Sequence, residues 1–171
     1  MTRLTQGCFG SLHRVDAPVH HALSPDFTAR WTRFINMMRD QEDGSRPSTQ
    51  HDWRFTARPG LFGQHAVSGV CRTSRDAQDR SFPFAVVLSG AALDPAEAWF
   101  DRAAVLCLRI VAAGRLDDRA LRDLERLPPP ALPVAASDAP ARFWRDDWEV
   151  MELSFASGGE MVERGLAGTV L

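Results

Sequence analysis

Between Cys71 and Phe82 the chain concentrates its most reactive side chains. Arg72 to Arg80 hold three Arg, two Asp, a Ser and a Thr. Hydrophobic pieces flank this polar run, Ser68-Gly69-Val70-Cys71 before it and Phe82-Pro83-Phe84 after it. Four kinds of chemistry suit such residues. Ser74 beside Asp76 has the elements of an activated nucleophile, although a nucleophile needs an adjacent base and no His is close in sequence. Arg75 with Arg80 could grip an anion, a phosphothreonine included. The same side chains could face a protein partner. They could also serve their own turn, with Asp76 accepting from local backbone N–H groups and Arg80 pairing with Asp76 or Asp79.

Other chemistry is poorly represented. The five His (13, 20, 21, 51, 65) are scattered, and no H-E-x-x-H, C-x-x-C or H-x-H pattern occurs to hold a metal. Gly60, Gly63 and Gly69 are spaced glycines without a Walker Lys or a G-x-G-x-x-G run, and read as turn residues. Asp146 and Asp147 read as a solvated turn. Cys8, Cys71 and Cys107 are odd in number and far apart, which argues for free thiols in a reducing compartment.

Composition fits one globular domain, residues 1–171, with 44% hydrophobic and 25% charged residues. The net charge of -2 gives no sign of a nucleic-acid surface. Every basic residue other than His is Arg. The N-terminus lacks the apolar core of a signal peptide, and the longest apolar run, Ala103 to Ala113, is broken by Arg109. The expectation is a soluble cytoplasmic protein without a membrane-inserted segment.

The elements that would position these residues are legible in outline. Residues 4–12 predict a first strand, followed by a turn-rich connector. Ser24-Pro25-Asp26 predicts a helix start, with Phe27, Trp31, Phe34, Ile35 and Met38 on one face. The helix should fade near Gln41. Residues 51–57 alternate as a half-buried strand, with Trp53, Phe55 and Ala57 on one side. A Pro59–Gly63 turn leads to strands at 66–71 and 82–88, the latter covered on both faces. Asp94-Pro95-Ala96-Glu97 predicts the start of a long helix with Trp99, Ala103, Leu106 and Ile110 buried and an end near Gly114. A second helix follows at 117–126. Pro128 to Ala141 is a stiff surface connector or, alternatively, a polyproline ligand. Strands are expected at 143–144 and 149–155, and a short helix at 160–166. The order β-α-β-β-β-α-α-β-α implies an α+β domain, a mainly antiparallel sheet flanked by helices.

Several segments together resemble the TagF family of type VI secretion accessory proteins, also called ImpM. Gly7-Cys8-Phe9-Gly10-Ser11-Leu12-His13, then Val15-Asp16-Ala17, parallels the family's G-F-[FY]-G-K-L-P strand and G-D-F turn. Trp53-Arg54-Phe55 matches a W-R-F strand. Residues 58–70, RPGLFGQHAVSGV, match S-P-G-x-x-G-x-x-A-x-x-G-V, and residues 73–83 match P-S-x-D-x-x-G-R-x-F-P without a gap. The departures are Ser11 and His13 for Lys and Pro, Val15 for Gly, Thr73 for Pro and Asp79 for Gly. The resemblance implies a longin- or profilin-like fold, no catalysis and no cofactor. It implies a cytoplasmic post-translational repressor, acting in a circuit with a Thr kinase, a phosphatase and a forkhead-associated scaffold. Partner-binding candidates are Ser74, Arg75, Asp76 and Arg80 with the Pro59, Gly60, Gly63 turn, taken as one docking surface. Changing Arg75 and Arg80 to Glu is expected to remove partner binding and keep the fold. Two other classes remain: a longin-like adaptor for another machine, and a small hydrolase using Ser74 or Cys71.

Overall fold

The computed structural model describes residues 3–41, 52–131, 140–145, 150–155 and 161–166. In chain order the described elements are β1 (Thr5–Gly10), β2 (Val19–His21), α1 (Pro25–Gln41), β3 (Asp52–Ala57), β4 (Val67–Arg72), β5 (Phe84–Ser89), α2 (Trp99–Ala113), α3 (Asp118–Glu125), β6 (Ala141–Trp144), β7 (Val150–Phe155) and β8 (Met161–Leu166). The strands form one sheet in the order β2-β1-β5-β4-β3-β6-β7-β8. Every pairing in it is antiparallel.

Helices cover both faces of the sheet. Alternation along β5 explains why its sequence is apolar from Phe84 to Leu88. Phe84, Val86 and Leu88 point toward α2, where Trp99, Phe100, Ala103, Leu106, Cys107 and Ile110 are buried. Ala85 and Val87 point the other way, toward Phe27, Trp31 and Phe34 of α1. On the α1 face the packing is aromatic. Trp31 lies 4.7 Å from Phe55 and 5.2 Å from Phe62, ring centre to ring centre. Phe143 of β6 joins the cluster, 5.4 Å from Phe55. Phe55 stands opposite Gly69 in register, and a side chain at 69 would collide with its ring.

Local signals set the helix ends. The Ser24 hydroxyl accepts from Phe27 N–H, as an N-cap should. Gly114 closes α2 in a left-handed conformation, φ 68°. Asp117 caps α3 by accepting from Ala120 N–H. Two expectations need correction. The Asp94-Pro95 signal is spent on a turn, in which Asp94 accepts from Ala96 N–H, and α2 starts only at Trp99, with no side-chain cap. Residues 161–166, expected as a helix, are a strand paired along its whole length with β7. The short β2 lies in what reads as a connector. Most of the Pro-rich stretch, Trp148 and the Asp146-Asp147 pair lie outside the described residues.

Candidate functional site

The polar run forms a closed loop between β4 and β5, and Asp76 is its centre. This carboxylate is only 5% exposed. Its Oδ1 accepts from the Gln78 and Arg80 backbone N–H groups, both at 2.9 Å. Its Oδ2 accepts from Arg80 Nε at 2.6 Å. Main-chain bonds close the ring, from Asp76 N–H to the Arg80 carbonyl and from Asp79 N–H to the Asp76 carbonyl. Burial pushes the Asp76 carboxyl upward, but the bonds from Arg80 and Gln78 outweigh it and hold the group below the usual carboxylate range.

The loop is also stitched to the connector that follows β1. The Ser74 hydroxyl donates to the Ser11 carbonyl at 2.6 Å. Ala77 N–H donates to the Val15 carbonyl, and Arg80 Nη2 donates to the Asp16 carbonyl at 3.0 Å. Ser11, Val15 and Asp16 thus form the other half of the site. Their sequence signal is the strand-and-turn motif at residues 7–17, which by itself does not reveal the contact.

Arg75 and Arg80 differ in kind. Arg75 pairs with Asp79 at 2.9 Å, and both side chains are exposed, so this pair stabilises the loop little. Arg80 reaches through solvent but neutralises a buried carboxylate. Arg80→Glu would set one carboxylate against another. Reversing Arg80 is therefore expected to disturb the fold, and a folded charge reversal is predicted for Arg75 alone.

Asp79 sits at φ 62°, a left-handed conformation that costs an L-residue roughly 1–2 kcal/mol, less for Asp. Asp79→Gly forfeits an exposed ion pair but relieves this strain. It should raise the melting temperature by about 1–3 °C, whereas Asp79→Val should lower it. Thermal unfolding followed by circular dichroism checks both.

A linkage prediction follows from Asp76. Its depressed pKa contributes stability that is present above the unfolded value of about 3.9 and is lost as pH falls through the folded value. Asp117 is likewise held low, by Ala120 N–H first and then by neighbouring Arg charges against a burial penalty. Asp76→Asn should lower the urea midpoint at pH 7 and flatten, without abolishing, its fall below about pH 5. Urea titrations at several pH values test this.

The Pro59–Gly63 turn lies elsewhere. It joins β3 to β4, and the loop around Asp76 joins β4 to β5, so the two occupy opposite ends of β4. Six strand residues separate them by about 20 Å, and they do not form one surface. Pro59 and Gly60 are exposed. Gly60 donates to the Gly63 carbonyl at 2.7 Å, with φ of 102° and 138° at the two glycines. Phe62 anchors the turn in the aromatic cluster, and Arg30, itself paired with Asp26, donates to the Gly60 carbonyl.

Cys71 is buried against the α1 face, where burial first and the Asp52 charge second push its thiol up to about 12. Among the described residues no group of three or more His, Cys, Asp and Glu is placed to hold a metal ion. No described helix is long and apolar enough to cross a membrane.

Three comparisons place these features. The model of the TagF N-terminal domain, type VI secretion system-associated, matches residues 7–127. That span holds β1 from Gly7 on, both turns and the Asp76 loop. The crystal structure of PA0076 from Pseudomonas aeruginosa PAO1 superimposes with a TM-score of 0.66 at 22% identity, over 94% of this chain and 89% of that one. This likeness is one of fold. No curated protein matches. With its strand motif, its turns and its Asp76 loop all inside the matched region, the chain belongs to the TagF family of type VI secretion system-associated proteins.

Proposed function

We propose that this chain is a non-enzymatic cytoplasmic regulator that represses type VI secretion after translation by binding a protein of the apparatus, through a pathway containing a forkhead-associated scaffold. The observation that carries the reading is the family match over residues 7–127. The loop geometry supports binding over catalysis. Its two reactive groups, the Ser74 hydroxyl and the Asp76 carboxylate, are each committed to holding main chain in place. Outward the loop presents Arg75, Asp79 and Arg80; of its two Arg, only Arg75 is free of the buried carboxylate.

The test is affinity purification of the tagged protein from its native cell, with mass spectrometry of what copurifies. Type VI components, a forkhead-associated protein among them, are expected. Their absence at good yield of folded bait would count against the proposal, and pull-down of another machine would favour the adaptor reading. In the same experiment Arg75→Glu should reduce scaffold recovery severalfold while the melting temperature stays within about 2 °C, because only an exposed ion pair and a long exposed hydrogen bond to the Asp79 carbonyl are lost. Undiminished recovery would remove the loop as the contact.

A further inference from the structure

The solvent side of α2 carries a second surface. Ala98, Asp101, Val105, Leu108 and Ala112 are all exposed and follow one another at intervals of three, four, three and four. Val105 is 59% and Leu108 44% exposed. Alternate steps of three and four keep residues on one stripe of a helix and form the seam against which a second helix packs. The large apolar residues occupy the middle of the stripe, and Ala at both ends lets another backbone approach. Asp101, the polar member, is held by Arg54 at 2.8 Å.

Charge beside the seam selects the occupant. Arg102 and Arg109 flank it on one side at matching positions, each directly after a seam residue. Arg109 is partnered by Asp123, but Arg102 has no carboxylate partner among the described residues. An antiparallel second copy would bring Arg102 of one chain toward Arg109 of the other, whose carboxylate partner Asp123 is already engaged, so a second copy offers Arg102 no free acid there. The geometry points to docking of an amphipathic helix from a partner protein, apolar at the same three-four alternation and acidic along the flank that meets Arg102. This inference rests on the regulator reading and gives that binding a specific face.

Photo-crosslinking in the native cell tests it. Benzoylphenylalanine is placed at position 108 and, as a control, at exposed position 33 on α1, and the crosslinked segments are sequenced. The expected result is an adduct at 108 only, to a segment of another protein with apolar residues at three-four spacing and neighbouring Asp or Glu. A crosslink to a second copy, to a basic or aperiodic segment, or none above the control would overturn the inference. Leu108→Glu, at an exposed position, should melt like the parent and recover that protein at least tenfold less well. If the variant recovers type VI components as fully as the parent, the α2 face falls and the regulator reading stands. If neither recovers any and position 108 gives no adduct, both fall.

Discussion

Gly10→Ala should destabilise the protein by about 3 kcal/mol or more, a fall in melting temperature of roughly 6–12 °C for a chain of this size. Gly10 has φ of 146°, outside the range an L-residue adopts easily. Space is the larger difficulty. A Cβ there would run into the Pro83 carbonyl and the Phe84 Cα, where the Asp76 loop re-enters the sheet as β5. Neither group is the flexible end of a side chain, so backbone must move. Such movement would pull on the Ser74–Ser11 and Ala77–Val15 bonds that hold loop to connector. Gly60→Ala is the matched control. It has a positive φ of 102° with nothing within 4 Å of the added carbon, and should cost only about 1 kcal/mol of backbone strain. Urea unfolding of both variants decides the matter. Equal losses would show that contact with β5 contributes nothing.

Trp31→Ala should cost about 3–5 kcal/mol, or roughly 6–20 °C. The indole is completely buried; it stacks on Phe27, Phe55 and Phe143, tilts against Phe34 and meets Phe62 edge-on, five Phe rings in all. These rings come from α1, β3, the turn after β3 and β6, so removing Trp31 loosens four segments at once. Trp31→Phe should be far milder, about 1–2 kcal/mol. The indole N–H has no hydrogen-bond partner among the described residues, so exchanging it for a smaller apolar ring forfeits volume and no bond. A Trp31→Phe loss as large as that of Trp31→Ala would mean the N–H has a partner after all. Calorimetry of the two variants distinguishes these outcomes.

Much of the frame was legible because its periodicities are strong. The Phe27-Trp31-Phe34 stripe, the Trp53-Phe55-Ala57 alternation and the doubly apolar β5 each required one kind of neighbour. The failures have identifiable causes. β2 has three residues, two of them His, and carries no pattern of its own. It exists because β1 offers an open edge, with Cys8 paired to His21 and Gly10 to Val19. Residues 161–166 contain good helix formers, but pairing with β7 overrides local preference, as it commonly does for strands. Asp94-Pro95 is a sound start signal that a tight turn uses equally well. At the site, the Asp76–Arg80 clamp was readable because all its parts lie within five residues. The bonds from Ser74 to Ser11 and from Arg80 to Asp16 span more than sixty residues, and only the β1–β5 register brings them together. The Pro59–Gly63 turn is close in sequence to the loop, and one intervening strand carries it to the other end of the sheet.

The position of β1 between β2 and β5 also bears on synthesis. Phe9 pairs with Ala85, a separation of 85 − 9 = 76 residues, so at ordinary elongation rates β1 waits about 4–15 s for its inner partner to be made. During that interval it is an unsatisfied strand on a nascent chain, the kind of segment that recruits other chains. Gly7 and Gly10 weaken its intrinsic tendency to extend and associate. The same two glycines later admit the close approach of the His21 carbonyl and of the backbone at Pro83 and Phe84. The strand is therefore poorly adhesive while alone and closely fitted once β5 arrives.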